Sequence, residues 1–428
     1  MASRIVYASK MTWVLDPREP MIGSVEDGGT IVARVSPGCW GPMITPDYPS
    51  GHEVTHPVAV EGAEVGDAVL IKIKKINVLS LATTSGTDSF NDDNYVVDPF
   101  VAKKCPGCGA INPKTYIDGI GEDAIKCANC HTPVKPFRLD SGYTMLFDEE
   151  RTIGITVPPE LAKEIAKQAS KFSAIPPESN QYSSNIIAKG DLPGILTRVR
   201  PMIGNIGSCP AIPMPSSHNA GDFGSFLLGA PHDYALNEEQ LLLRTDGHMD
   251  INEIREGTML IVPVKVPGAG IYIGDVHAMM GDGEIAGHTT DVSAEVIIEV
   301  KVLKGLKIEG PIVLPNLEDL PYLARPYTVE EKNKAFNLAQ YYGFEVETEM
   351  YPLQVVGTGA DLNKATINGL ERMANLTGLS ISEVKNRATI TGDIQIGRLP
   401  GVVQVTMLTP SSILEKLNLL EIYKEQYK

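Results

Sequence analysis

The stretch Gly274 to His288, GDVHAMMGDGEIAGH, carries two Asp, one Glu and two His with four glycines threaded among them. Burying so many ionisable groups is costly unless they are paired or bound to a metal, so the stretch is either a solvated loop or a site. Asp275 and His277 alternate along what reads as a strand end, and their side chains leave one face. Asp282 and Glu284 repeat that spacing after Gly281, whose conformational freedom lets the backbone turn back toward the pair. Converged on a divalent ion, such groups activate water and polarise an electrophile, while a free carboxylate nearby shuttles a proton. Glu284 is the first choice for that proton carrier and Asp282 the alternative. The plainer readings are turn chemistry for Asp275 and Asp282 and a hydrogen-bonded core imidazole for His277. His288 is expected at the rim.

Other stretches could complete the ligand set. DGHMD puts Asp246, His248 and Asp250 on one side of an extended segment, so His248 and Asp250 join Asp275 and His277 as candidate metal ligands, against a solvated-turn alternative. In SGHEVTH, His52 and His56 stand four residues apart, but the neighbouring Pro and Gly argue against a helix presenting both, and a loop is the default. His218 and Asp222 lie in a Gly/Ser-rich segment and are a lid, a ligand pair or plain loop. The backbone around Gly204 and Gly207, in PMIGNIG, could offer N–H donors to an oxyanion, as could any Gly-rich turn.

A second donor set is different in kind. Cys105, Cys108, Cys127 and Cys130 form two CxxC pairs with 18 residues between them, a spacing that lets two knuckle turns present four thiolates tetrahedrally to Zn²⁺. Iron in a rubredoxin-like site, or unmetallated thiols, are the alternatives. Four thiolates close the coordination sphere, so this ribbon is a structural staple or an oligomer contact, with His131 a bystander. Cys39 and Cys209 stand alone and are expected as buried, inert thiols.

Something must hold these groups in place. Acidic turns with Gly lead into apolar runs in VEDGGTIVARV, AEVGDAVLIKI and IREGTMLIVPVKV, and AEVIIEVKVLKGLKIEGPIVL (294–314) predicts a further strand pair. Helices are predicted over 158–172, over 328–343 from the Thr328/Glu331 capping box to Gly343, and over 361–378. The fold class is therefore α+β: a mainly antiparallel β body over 1–325, barrel- or sandwich-like, with the ribbon inserted at 100–140, and an α-rich region over 326–428 packed on it. The chain of 428 residues carries a net charge of −16, which disfavours nucleic acid and anionic membranes as partners. No apolar run is long enough to span a bilayer and the N-terminus lacks a secretory pattern, so a cytoplasmic protein is expected.

Read together, VPGAGIYIGDVHAMMGDGEIAG (266–287) and PVAVEGAEVGDAVLIKI (57–73) resemble the acetamidase/formamidase family. RPMIGNIGSCP (200–210), DGHMDINEIREGT (246–258) and NLTGLSISEVKNRATITGDIQIGRL (375–399) extend the resemblance over most of 25–410. It implies hydrolysis of a short linear amide such as formamide or acetamide to carboxylate and ammonia, by a homo-oligomeric enzyme with a divalent metal, zinc by preference, at its active site. Against the family pattern, His248 stands at an Asn position and His56 at a Gly position, which makes His56 a candidate for substrate contact. The CxxC segment and SSHNAGDFGSFLLG (216–229) look additional. These departures leave the substrate more open than the reaction class. A hydrolase of a cyclic amide, urea-like or guanidine-like compound and a non-catalytic metal-binding assembly protein are the competing readings.

Overall fold

The computed structural model describes residues 2–38, 48–181 and 187–427; Cys39 lies outside the described residues. Its spine is a ten-stranded sheet. From one edge the strands run Ser3–Ala8, Ser24–Val35, Ala294–Leu303, Ala68–Val78, Met259–Pro263, Ile312–Leu314, Met350–Thr358, Val402–Pro410 and Asp393–Arg398, with the short Ala59–Val60 beside Ser24–Val35 off that line. Ser24–Val35 pairs in parallel with Ser3–Ala8 and Ala59–Val60, and the other neighbours are antiparallel. The strand order ends at two edges, so the sheet is open and the barrel form of the expectation is corrected. Residues 294–314 supply two strands as expected, but these are not partners of each other. Ala294–Leu303 pairs along its whole length with Ala68–Val78, and that ladder outweighs the short hairpin the local sequence suggested.

The sandwich form of the expectation fits better. A smaller sheet of Met202–Ser208, Ile271–His277, Val54–Thr55 and Met11–Thr12 packs on the spine, and Ile203, Ile206, Ile273 and Val276 share one core with Val25, Ile31, Ile71 and Ile298. Another four-stranded sheet holds Ala82–Phe90 and Phe137–Phe147, and the four-cysteine ribbon is inserted between these two strands.

Beyond residue 325 the chain is not only helical, because Met350–Thr358, Asp393–Arg398 and Val402–Pro410 continue the spine. Helix Leu362–Thr377 buries Leu370 and Met373 against Val403, Val405 and Met407. Helix Val329–Tyr342 has the Thr328/Glu331 capping box and ends at Gly343 with φ 74°. The predicted helix at 158–172 is split into Pro159–Ala166 and Ala169–Ser173. Among the described residues no helix is long and apolar enough to cross a membrane. Cys209 is buried, and burial pushes its thiol up to about 12.

Candidate active site

Strand Ile271–His277 is buried along its length; Val276 packs into the core shared with the spine, while Asp275 and His277, which flank it, meet His52, His248 and Asp250. Asp275 has φ 56°, Asp250 46° and Glu284 41°, a region that non-glycine residues avoid and that persists only where the surroundings over-determine it. This backbone lets side chains from four segments converge. His248 Nε2 lies 3.1 Å from Asp250 Oδ2 and 3.4 Å from Asp275 Oδ2, and His52 Nε2 lies 3.4 Å from the same Asp275 oxygen. His277 Nε2 is 3.2 Å from Asp275 Oδ1 and 3.5 Å from Asp250 Oδ1. Three overlapping donor sets result, each with its ligand atoms within 4.8 Å of one another: His52/His248/Asp275, Asp250/His277/Glu284 and Asp275/His277/Asp291.

These groups are buried, yet among the described residues Asp250 Oδ1, both Asp275 oxygens, both His277 ring nitrogens and Glu284 Oε1 find no hydrogen-bond partner. Four of these atoms meet an opposite charge at 3.2–3.5 Å, and a buried polar atom left without a well-formed hydrogen bond costs roughly 1–3 kcal/mol. The donor set suits a divalent ion. Burial pushes His52 down to about 4, which keeps it a neutral donor. Burial, reinforced by the charge of Asp250, shifts the Glu284 carboxyl well above the usual carboxylate range. Burial also opposes charge on His277, but Asp275 beside it overrides that and raises it well above the ordinary imidazole value.

A shell of fixed partners orients the cluster. His248 Nδ1 donates to the Ser217 carbonyl at 2.6 Å, which leaves Nε2 facing the carboxylates. Arg398 is buried, bidentate to Asp222 at 2.8 and 3.0 Å, hydrogen-bonded to Asp250, and lies 4.6 Å over the Phe223 ring. Gly204 has a steric role, since a Cβ there would stand 2.1 Å from Asp250 Oδ1 and 2.8 Å from His277 Nε2. Above the cluster is a small cavity of about 20 Å³, walled by Phe100 and Phe223 and floored by His248, Asp250, Glu284 and Arg398.

Thus His248, Asp250, Asp275, His277 and Glu284 come together, and several other candidates do not. Asp282 is at the surface, where it accepts from Asn252 Nδ2 at 2.6 Å, because Gly283 at φ 89° sends it and Glu284 in opposite directions. His56 is half-buried beside Lys10 and Glu19 and belongs to none of the donor sets. Gly207 packs its backbone on Gly247, with a Cβ position 2.9 Å from that Cα. Asp246 is consumed by Arg244, Arg372 and Thr358. His218 is paired with Asp98, and His288 with Asp88. Asp291 and Arg398 are members that sequence reasoning did not name, while His52 was read as loop by default and Asp222 as lid, ligand or loop. His52 was visible only as a loop histidine, and Asp222 and Arg398 become legible only as an ion pair between residues 176 apart.

The four cysteines also converge, with Cys105 Sγ 3.5 Å from Cys130 Sγ and Cys108 Sγ 3.8 Å from Cys127 Sγ. The two knuckles match: Gly109 N–H donates to Cys105 O and His131 N–H to Cys127 O, each at 2.9 Å. Hydrogen bonds from Thr132 pull Cys130 down to about 6, whereas burial pushes Cys105 up to about 12. His131 bonds Tyr116 Oη and is not in the cluster.

A model of the acetamidase/formamidase family matches residues 41–416. In fold, the chain is similar to a predicted acetamidase/formamidase from Thermoanaerobacter tengcongensis, at 19% identity and TM-score 0.54 over 97% of this chain and 98% of that one. It is likewise similar to an acetamidase from Bacillus halodurans, at 18% identity and TM-score 0.52 over 96% and 99%. A candidate formamidase of Schizosaccharomyces pombe is 36% identical over 75 residues, which span 16% of this chain and 18% of that protein.

Proposed function

Because the chain belongs to the acetamidase/formamidase family, we propose that it hydrolyses the C–N bond of a short linear amide of the formamide or acetamide class, releasing carboxylate and ammonia. The observation that carries this reading is the buried, orphaned cluster of His, Asp and Glu donors beneath the cavity. His52, His248, Asp250, Asp275 and His277 would hold a divalent ion, zinc by preference. Such an ion supplies Lewis acidity toward a carbonyl and lowers the pKa of water.

The remaining roles fall to the protein. Glu284, the buried carboxyl of the cluster, would take a proton from the attacking water and pass it to the departing nitrogen. Arg398 and the Ser217 carbonyl fix Asp250 and His248, so that little reorganisation accompanies the reaction. The cavity favours small substrates: about 20 Å³ accommodates on the order of one or two water-sized centres, and the Phe100–Phe223 stack, with ring centroids 4.9 Å apart, closes one side.

Two further parts of the proposal concern the rest of the chain. The four thiolates would hold a structural zinc with no open position. Association into a homo-oligomer is supported by helix Val329–Tyr342, which buries only Ala339 while Phe336, Leu338, Tyr341 and Tyr342 are exposed. Free cysteines fit a reducing, cytoplasmic setting. The test is metal content of the purified protein together with ammonia release from formamide, acetamide, propionamide and urea. Two metal equivalents with turnover of the smallest amides is the expected result. Turnover of urea alone would move the substrate class, and bound metal with no turnover on any of the four would leave a binding protein.

A further inference from the structure

The ribbon and the buried cluster are joined by a short stem, Asp98 to Lys103, which precedes Cys105. Lys103 is fully buried. Its ammonium donates to the carbonyls of Tyr48 at 2.6 Å, Ser50 at 2.9 Å and Phe100. Three donors thus meet three carbonyls, an arrangement that binds a cation and here is filled by a side chain. The clamped segment leads directly into His52. Ser50 Oγ bonds the His52 carbonyl at 3.1 Å, and Gly51 N–H donates to Ser217 Oγ at 2.8 Å.

On its other side Lys103 is gripped by the ribbon. Lys103 N–H donates to Asn112 Oδ1 at 3.0 Å, Asn112 N–H to Lys103 O at 2.6 Å, and Asn112 Nδ2 to Val101 O at 2.6 Å. Cys105 N–H then bonds Ala110 O within the first knuckle. Of the other stem residues, Phe100 reaches the pocket and Asp98 ties down the segment behind it. Phe100 stacks on Phe223 in the cavity wall, and Asp98 accepts from His218 at 3.0 Å and from His232 at 3.3 Å.

We propose that Lys103 is a positioning residue for the His52 side of the candidate active site, and that the four-cysteine ribbon, through Asn112, holds Lys103 in register. This inference rests on the proposed metal centre. It makes ion binding at that centre sensitive to a ribbon none of whose cysteines touches it. The gain is rigidity: His52 sits on a loop, and an imidazole on a loop is a poor ligand unless its backbone is fixed.

Cobalt(II) titration of the full-length protein separates the two sites, because a tetrathiolate gives an intense sulfur-to-metal charge-transfer band and a His/carboxylate centre only weak d–d bands. Lys103→Met is expected to lower cobalt affinity at the His/carboxylate centre by about 10- to 100-fold while the charge-transfer band is retained, and Lys103→Arg to recover part of that loss. Asn112→Ala, which keeps the ammonium and removes the grip, is expected to weaken the same centre less and serves where Lys103→Met does not fold. Unchanged affinity at the centre in both Lys103→Met and Asn112→Ala, or in Asn112→Ala alone where Lys103→Met does not fold, overturns the coupling. A parent protein that takes up only thiolate-bound cobalt overturns the metal centre of the proposed function, and the coupling with it.

Discussion

Two donor clusters in this chain solve the same problem in opposite ways. The ribbon draws four identical thiol side chains from 26 consecutive residues, on two matched knuckles, and leaves Cys108 exposed. The buried cluster draws imidazoles and carboxylates from positions 52, 248–250, 275–277, 284 and 291, and shuts them away from solvent. A local thiolate set closes on its ion and stops there. A dispersed, mixed set carries unmatched charges, needs an outer ring such as Arg398 and Asp222, and leaves a cavity beside the Glu284 carboxyl. Under the proposed function the ribbon is the staple and the buried cluster the site that does chemistry.

The sharpest way to break the comparison is to remove one donor from the buried set. His277→Ala should abolish ion binding at that cluster and bring amide hydrolysis to background, with the thiolate site still loaded; metal analysis alongside ammonia release checks this. Retained activity would mean that the buried cluster is a structural network. Next in size is Glu284→Gln. It should keep the ion while kcat falls by about 10²–10⁴, the range for loss of a general acid–base group. Loss of the ion in that variant would instead make Glu284 a ligand, since it shares a donor set with Asp250 and His277.

A smaller effect is expected at the ribbon. Cys105→Ser should remove one metal equivalent and loosen 100–140 in hydrogen exchange, with activity reduced by about tenfold through the stem rather than abolished. Normal zinc and normal exchange in that variant would dissolve the distinction between the two clusters. Smallest are Asp282→Asn and His56→Ala, which should change kcat/KM by less than about twofold because neither side chain reaches the buried cluster. A large loss in either would place a catalytic group outside it.

Much of this organisation is legible in the amino-acid order. The CxxC spacing specifies its cluster because ligand and turn are contiguous. Thr328 with Glu331, and Gly343, set the ends of their helix by local hydrogen bonding and backbone freedom alone. Asp275 and His277 announce themselves by alternation on an apolar strand. The glycine spacing around Asp282 and Glu284 signals a turn, but which carboxylate turns inward depends on the φ that Gly283 and Glu284 adopt.

What the sequence by itself determined is therefore everything with a short reach: caps, knuckles, the strand periods and the chemical types available to a site. The tertiary structure alone decided which neighbours the two strands in 294–314 pair with, that His52 rather than His56 faces the centre, and that Asp246 is spent on Arg244, Arg372 and Thr358 while Asp250, four residues on, shares itself between Arg398 and the cluster. It also decided the meeting of Arg398 with Asp222 and of Lys103 with the carbonyls before His52. The physical reason is range. Local hydrogen bonds and steric limits act over a few residues, whereas burial and charge pairing act between whatever the packed sheets bring into contact, and that partner list is not written at any one place in the chain.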